Sequence, residues 1–529
     1  MVSTNSIALL FVVLTLFLIH IKKIKSRSIH KNGKSEPRLP PGPAPWPIIG
    51  CVPQMLREKS TFRWIHRLMK EMDTDIACIR LGNVHVIPVT CPEIAQEFLK
   101  KHDATFSSRP TSMATRIYSR GYLTAGITPY GNQSKKMRRV LVSEIISPAR
   151  HHWLKDKRTG EADNLVKYIY NRSKSSSGTV NVRTVTRQYT GNVIRKLVFG
   201  KRCIGVERAD GGPTIAEEEH VEAIFTIIKY LYAFCISDYF PWLVGLDLDG
   251  HEKFVNEAVR TVNNYHDPII DSRIKKWRSF GNSNEESTID EPHDLLDVLI
   301  TLKDSEGKAL LTPEEIKAQI TEIMFASVDN PANAVEWVLA EMINQPEILK
   351  TAMEELDRVV GKERLVRECD IPHLNYIKAC IREAFRLHPI APFVPTHMAM
   401  SDAIVSGYFI PKGSHVLLSR LGLGRNPKVW NKPLEFRPER HFTSGSTEVQ
   451  LIEPDLHFIS FSTGRRGCVA LMLGTTMTVM LLARMVQGFY WKALPDVTSI
   501  NLDESFEDMF LANPLVACVE PRLPLHLYP

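Results

Sequence analysis

The sequence predicts a mainly α-helical domain with a small β region, carried behind a single apolar span at the N-terminus. Three observations carry that expectation. Helical apolar patterns dominate from Cys51 to the C-terminus without a repeat or a convincing linker, so a length of 529 residues does not by itself divide the chain into several domains. One stretch, "IACIRLGNVHVIPV" from Ile76 to Val89, reads as two strands around a Gly82-Asn83 turn. The first charge in the chain is Lys22. With 44% hydrophobic and 24% charged residues the chain can bury a large core, which excludes disorder as its main state.

Residues 1–21 contain "IALLFVVLTLFLIHI", Ile7 to Ile21, which with its uncharged upstream residues is just long enough to span a bilayer. A cleaved secretory signal is the competing reading, but here the basic residues follow the apolar run and no small-residue cleavage pattern comes after it. Between Lys22 and Arg38 lie seven Lys or Arg and one Glu, which accounts for +6 of the formal net charge of +7. The basicity therefore belongs to a membrane tether, not to a nucleic-acid face, and it places the body on the cytosolic side. The tether, residues 22–50, runs through "RLPPGPAPWP", whose five prolines impose extended backbone, either to fix the lean of the body or as a plain spacer. Residues 51–529 form the body. Nine cysteines without a CxxC pair, in a reducing compartment, predict free thiols and no disulfide framework or zinc site.

The clearest helix begins at "LTPEEI", with Thr312 as N-cap, Pro313 at the first helical position and Glu315 completing a capping box. Its apolar pattern runs to about Met342, long enough to cross a whole domain. Pro331 lies inside it, withdraws the usual partner of the Ser327 carbonyl and predicts a kink. "GNSNEESTIDEPHD", Gly281 to Asp294, reads as a polar loop between helices.

Cys468 stands in "FSTGRRGCVA", just before an uncharged run from Val469 to Ala483. A buried free cysteine is commonly inert. Here Gly464 and Gly467 allow close approach of a flat ligand, Arg465 and Arg466 supply charge for acidic groups, and the amides of the following helix favour a thiolate. The combination suits a metal-bound thiolate better than a packed thiol.

On these residues the chain resembles the cytochrome P450 superfamily. "FSTGRRGCVA" is similar to its haem-binding signature, "REAFRLHP" carries Glu383 and Arg386 at the ExxR spacing, and "EFRPERHF" supplies Arg440. The resemblance extends from the proline-rich segment to the C-terminus. It implies the cytochrome P450 fold, haem b held by the Cys468 thiolate as axial ligand, and a buried network of Glu383, Arg386 and Arg440. It also implies Arg138, His397 and Arg466 as partners of the haem propionates, and the long helix over the opposite haem face. Where most relatives carry an acid-threonine pair on that helix, this chain reads "FASVDNPANAVEW", with Asp329, Asn330 and then Pro331. Asn330 can still donate and accept a hydrogen bond, and the freed Ser327 carbonyl can hold water.

The Asp-Asn-Pro trio, with Ser462 at a usual glycine and His441 at a usual aromatic, resembles the plant amino-acid N-monooxygenases that form aldoximes. Members acting on branched-chain or aromatic amino acids are the most similar, including in "YLYAFCISDYFPWLVGLDLDG" and "HPIAPF". The resemblance implies conversion of an L-amino acid to its aldoxime by two N-hydroxylations, dehydration and decarboxylation. Asp329 and Asn330 would be the catalytic residues, with O2 and electrons from an NADPH-cytochrome P450 reductase, at the endoplasmic reticulum membrane. Arg116, Arg120 and Phe393 are the candidate substrate contacts and Arg109 is expected to be structural; Lys135, Lys136 and Arg139 are candidates for a reductase-docking patch, with an ordinary solvated face as the plainer reading of each charge. One departure stands out: Ser134 occupies the place of a tryptophan that relatives have four residues before Arg138, which predicts weaker haem retention. Two alternatives remain open, a haem-thiolate isomerase or dehydratase that needs no reductase, and a haem-binding paralogue with impaired catalysis.

Overall fold

The computed structural model describes residues 37–58, 60–175, 177–202, 204–205, 208–280, 291–442 and 448–528. The apolar span Ile7 to Ile21, the basic residues from Lys22 to Lys34 and most of the polar loop after Gly281 lie outside the described residues.

One helix, Pro313–Asn344, organises the body. Its capping box forms as the sequence predicts: Thr312 Oγ1 accepts the Glu315 N–H at 3.2 Å, and Glu315 Oε2 accepts the Thr312 N–H at 2.8 Å. Pro331 sits inside without ending it. Helices Val182–Phe199, Leu471–Gly488, Asn375–Leu387 and His251–Phe280 all pack against it, which is why it is apolar on nearly every side. Trp337 is fully buried at its centre, stacked on His388 at 3.9 Å, with its indole N–H donated to the Met509 carbonyl at 3.0 Å. Among the described residues, a segment at Ile215–Tyr239 and the helix Leu471–Gly488 are long and apolar enough to cross a membrane; the second is largely buried in this core.

The expected β region is the edge of a four-stranded sheet in the order Ile79–Leu81, Val84–Val89, His415–Leu418, His397–Met398. The first two strands form an antiparallel hairpin whose turn residue Gly82 has φ 54°. Val84–Val89 then pairs in parallel with His415–Leu418, with Val89 opposite Leu418, so residues more than 300 positions apart meet here. A three-stranded sheet (Thr179–Asn181, Val516–Pro521, Phe489–Lys492) and the hairpin Ala403–Val405/Tyr408–Ile410 complete the β structure. The proline-rich segment is docked on the body: the Arg38 carbonyl accepts the Phe409 N–H at 2.9 Å, and the Pro41 carbonyl accepts the Cys78 N–H at 2.8 Å. A Cβ at Gly42 would lie 1.9 Å from the Cys78 carbonyl oxygen, so only glycine permits that approach. All the described cysteines are free thiols, as expected.

Candidate active site

A cavity of about 310 Å³ lies between the long helix and the loop that carries Cys468. Asp329, Asn330, Arg138, His397, Arg466 and Cys468, six residues spread over more than 300 positions, all line it.

The loop before Cys468 is bent by two left-handed residues. Gly464 has φ 72°, and a Cβ there would meet Asp103 Oδ1 at 2.6 Å and the Leu99 carbonyl at 2.7 Å. Ser462 has φ 59°, the conformation that makes glycine usual at this place, and its buried hydroxyl has no hydrogen-bond partner. The turn closes when the Cys468 N–H donates to the Phe461 carbonyl at 2.8 Å, leaving the thiol accessible from the cavity. Burial pushes this thiol up, while the Ala470 amide and the Arg138 and Arg420 guanidinium groups pull it down. Among the described cysteines it is the one that lines the cavity.

Behind this loop sits a fully paired ionic cluster. Glu383 is completely buried and accepts from Arg386 Nη2 (2.7 Å) and Nε (2.8 Å), Arg440 Nε (2.9 Å), the Arg437 N–H (2.9 Å) and His441 Nε2 (2.8 Å). Burial would raise its carboxyl, but the Arg386 and His441 hydrogen bonds outweigh it and hold the group at about 2. Arg382 Nε donates to His441 Nδ1 at 3.2 Å, so the ring is a neutral bridge from Arg382 to Glu383. The histidine in place of an aromatic thus enlarges the network.

Arg466, Arg138, Arg109 and His397 are among the basic residues that line the cavity. Arg466 donates to the Gly126 (2.6 Å) and Thr128 (3.0 Å) carbonyls, and burial lowers it to about 10. Arg138 donates to the Gly467 carbonyl at 2.9 Å. Arg109 donates to the Thr396 carbonyl at 3.1 Å and also to that of Pro395, which ties two loops together as a structural role requires. His397 gives its Nδ1 side to the Phe106 carbonyl at 2.8 Å, and burial, followed by Arg109, depresses its proton affinity well below the ordinary value. An anion beside these groups would reverse that depression.

On the long helix, Asp329 is buried, its Oδ1 has no hydrogen-bond partner, and burial raises its carboxyl to about 7 against the pull of Arg187 and Arg420. Asn330 Nδ2 lies 3.4 Å from the Ala326 carbonyl one turn back, not from that of Ser327. The Ser327 carbonyl faces a residue without an N–H, Pro331. An accessible thiol with cationic groups along the same cavity fits an anionic, thiolate-bound cofactor.

Several residues singled out in the sequence lie away from this cavity. Arg120 is paired with Asp267 at 2.7 Å and Glu314 at 2.8 Å, Arg116 is half-exposed beside Glu252 at 3.7 Å, and neither lines the cavity. The Phe393 ring stacks on His66 with centroids 5.3 Å apart, outside the cavity lining. Lys136 is bound to Glu315 at 2.7 Å, which removes it from a docking patch and leaves Lys135 and Arg139 exposed. Ser134 is buried in the first turn of Asn132–Val140, where its hydroxyl accepts the Gly131 N–H at 3.0 Å and does not reach the cavity lining. Sequence reasoning passed over Arg420, Tyr232 and Glu322, all of which line the cavity. Glu322 accepts the Ala125 and Gly126 amides at 3.0 Å and fixes the loop that also binds Arg466. A signal for Arg420 existed: it ends the apolar strand "HVLLS", and no acidic residue occurs between Asp402 and Glu435.

A helical body with one cavity-facing thiolate loop, backed by a buried Glu-Arg-Arg cluster, defines a haem-thiolate protein. The chain belongs to the cytochrome P450 family, whose pattern matches residues 40–519. It is similar to a tyrosine N-monooxygenase of Sorghum bicolor, 59% identical over 500 residues that cover 94% of this chain and 88% of that protein. It is also similar to valine N-monooxygenase 1 of Manihot esculenta, 56% identical over 528 residues (100% and 96%), and to isoleucine N-monooxygenase 1 of Lotus japonicus, 56% identical over 523 residues (98% and 96%).

Proposed function

We propose that this protein converts an L-amino acid with a branched-chain or aromatic side chain to its aldoxime, by two successive N-hydroxylations followed by loss of water and carbon dioxide. The observation that carries the reading is full-length identity of more than half to relatives named for N-oxygenation of tyrosine, valine and isoleucine, together with a cavity in which Asp329 and Cys468 share one wall system. Haem held by Cys468 would supply dioxygen activation, with electrons from NADPH through a membrane-bound cytochrome P450 reductase. Arg138, Arg466 and His397 would hold its carboxylates. Asp329, poised near neutral pH with a free Oδ1, holds and passes in turn each proton that the oxygenations consume in reducing the second oxygen atom to water. Asn330 and the Ser327 carbonyl orient the water through which that proton moves. The apolar wall, including Ile228, Leu231 and Phe325, takes the substrate side chain and keeps bulk water out.

The same reading assigns residues 1–21 as a single-pass anchor in the endoplasmic reticulum membrane, residues 22–50 as a tether that is seated on the body from Arg38 onward, and residues 51–529 as the cytosolic catalytic domain. Membranes containing this protein, a plant reductase and NADPH are offered tyrosine, phenylalanine, tryptophan, isoleucine, leucine and valine in turn. The expected result is an oxime from at least one of them, dependent on reductase. No oxime from fully haem-loaded protein would overturn the proposal and favour a reductase-independent isomerase.

A further inference from the structure

Arg420 is a deeply buried cation of the cavity wall with donors to spare. It is 93% buried, since only 7% of its surface is accessible, and its Nε has no hydrogen-bond partner. Its guanidinium donates through Nη1 to the Phe393 carbonyl at 3.3 Å and lies within hydrogen-bonding reach of the Tyr232 phenol. No carboxylate lies within ion-pair distance of it among the described residues. The other deeply buried arginines are matched: Arg158 with Glu368 at 2.7 Å, Arg195 with Glu217 at 3.1 Å, Arg386 with Glu383 at 2.7 Å and Arg484 with Asp163 at 2.9 Å. Arg109, which has no acid partner, is spent on three carbonyls, those of Pro395, Thr396 and Gly126. A buried guanidinium with unused donors is costly to keep unless something else completes it. Its fork geometry matches a carboxylate bidentately.

We propose that Arg420 is the anchor for the α-carboxylate of the amino-acid substrate, with Tyr232 beside it as a second donor. Both residues line the cavity that also holds Asp329 and Asn330. A carboxylate fixed at Arg420 leaves the α-amino group one carbon away, so the anchor sets where the reacting nitrogen sits while the side chain points to the apolar wall. It also accounts for a free amino acid being accepted in a cavity that is otherwise largely apolar, because the charge is received by a buried guanidinium that no acid neutralises among the described residues. Arg116 and Arg120, spent on Glu252, Asp267 and Glu314, are unable to do this.

The inference rests on the proposed amino-acid reaction, and the test separates the two. Haem-loaded wild type, Arg420→Met and Arg420→Lys are titrated with the same six amino acids and with their carboxamides, which keep the amino group and size but lose the negative charge. Dissociation constants are read from the shift of the haem absorption band, and haem content is recorded on each sample. Wild type is expected to bind at least one acid about 10- to 100-fold more tightly than its amide. Arg420→Met is expected to erase that preference by weakening only the acid, and Arg420→Lys to restore part of it. Equal affinity of wild type for acids and amides, or no binding of either, would overturn the anchor without any variant. So would an undiminished preference in Arg420→Met. Acid-selective binding that depends on Arg420, without oxime formation, would keep the anchor and discard the N-oxygenation reading.

Discussion

The two sides of the Cys468 loop treat buried charge in opposite ways. Behind the loop, Glu383 spends both carboxylate oxygens on five donors, and Arg386, with no exposed surface, donates also to the Gly424 and Pro433 carbonyls at 2.6 and 2.7 Å. Within the cavity, Asp329 keeps an oxygen and Arg420 a nitrogen without any partner. Burial is deep in both places, so the contrast is chiefly one of completion. A completed network resists change and fixes geometry. An incomplete one holds donors and acceptors ready for a ligand or a proton, and gives up stability to do so.

The largest effect should come from breaking the completed side. Glu383→Gln strips the counter-charge from Arg386 and Arg440 at a completely buried position and should cost about 3 to 5 kcal/mol. Thermal unfolding and haem content of the membrane-expressed protein measure it, and wild-type values for both would show that the cluster does not support the thiolate loop.

Asp329→Asn should act differently: haem content unchanged, oxime formation down about 100-fold. Its pH signature has a definite sign. The folded carboxyl sits at about 7, above the ordinary 3.8, so its contribution to stability is complete below 3.8 and is lost as pH rises through about 7. Unfolding midpoints recorded across that window should therefore fall with pH more steeply in wild type than in the Asn variant. Parallel curves would mean that Asp329 is not held protonated.

The smallest effect belongs to Ser134→Trp. Position 134 lies one turn before Arg138 on the same helix face, and an indole there would add surface near the rim at the expense of the Gly131 cap. Haem retention after dialysis should rise modestly; equal retention would show that the serine costs nothing.

Local chemistry was legible in the sequence, and tertiary pairing was not. Thr312, Pro313 and Glu315 announce a helix start because all three act within one turn, and Gly82-Asn83 announces its hairpin for the same reason. Cys468 and the Glu383, Arg386 and Arg440 set were legible because their spacing is a family signature. Arg116 and Arg120 looked equal to Arg420 as single letters. What separates them is whether Asp267, Glu314 and Glu252 arrive from distant helices, and no periodicity reports that. The unpartnered state of Asp329 Oδ1 likewise depends on what every neighbouring element leaves undone.

The parallel pairing of Val89 with Leu418 extends one step further, where the Ser419 N–H donates to the Val89 carbonyl at 2.9 Å, and Arg420 is the next residue. Its Cα is thus pinned by a sheet, whereas Ile228 and Leu231 of the facing wall ride on the separate helix Ile215–Leu231. Side chains on that helix can be exchanged for larger or smaller ones without moving the post at the end of the inner strand. The fold thus separates a fixed point of reference from a mould that is free to change around it.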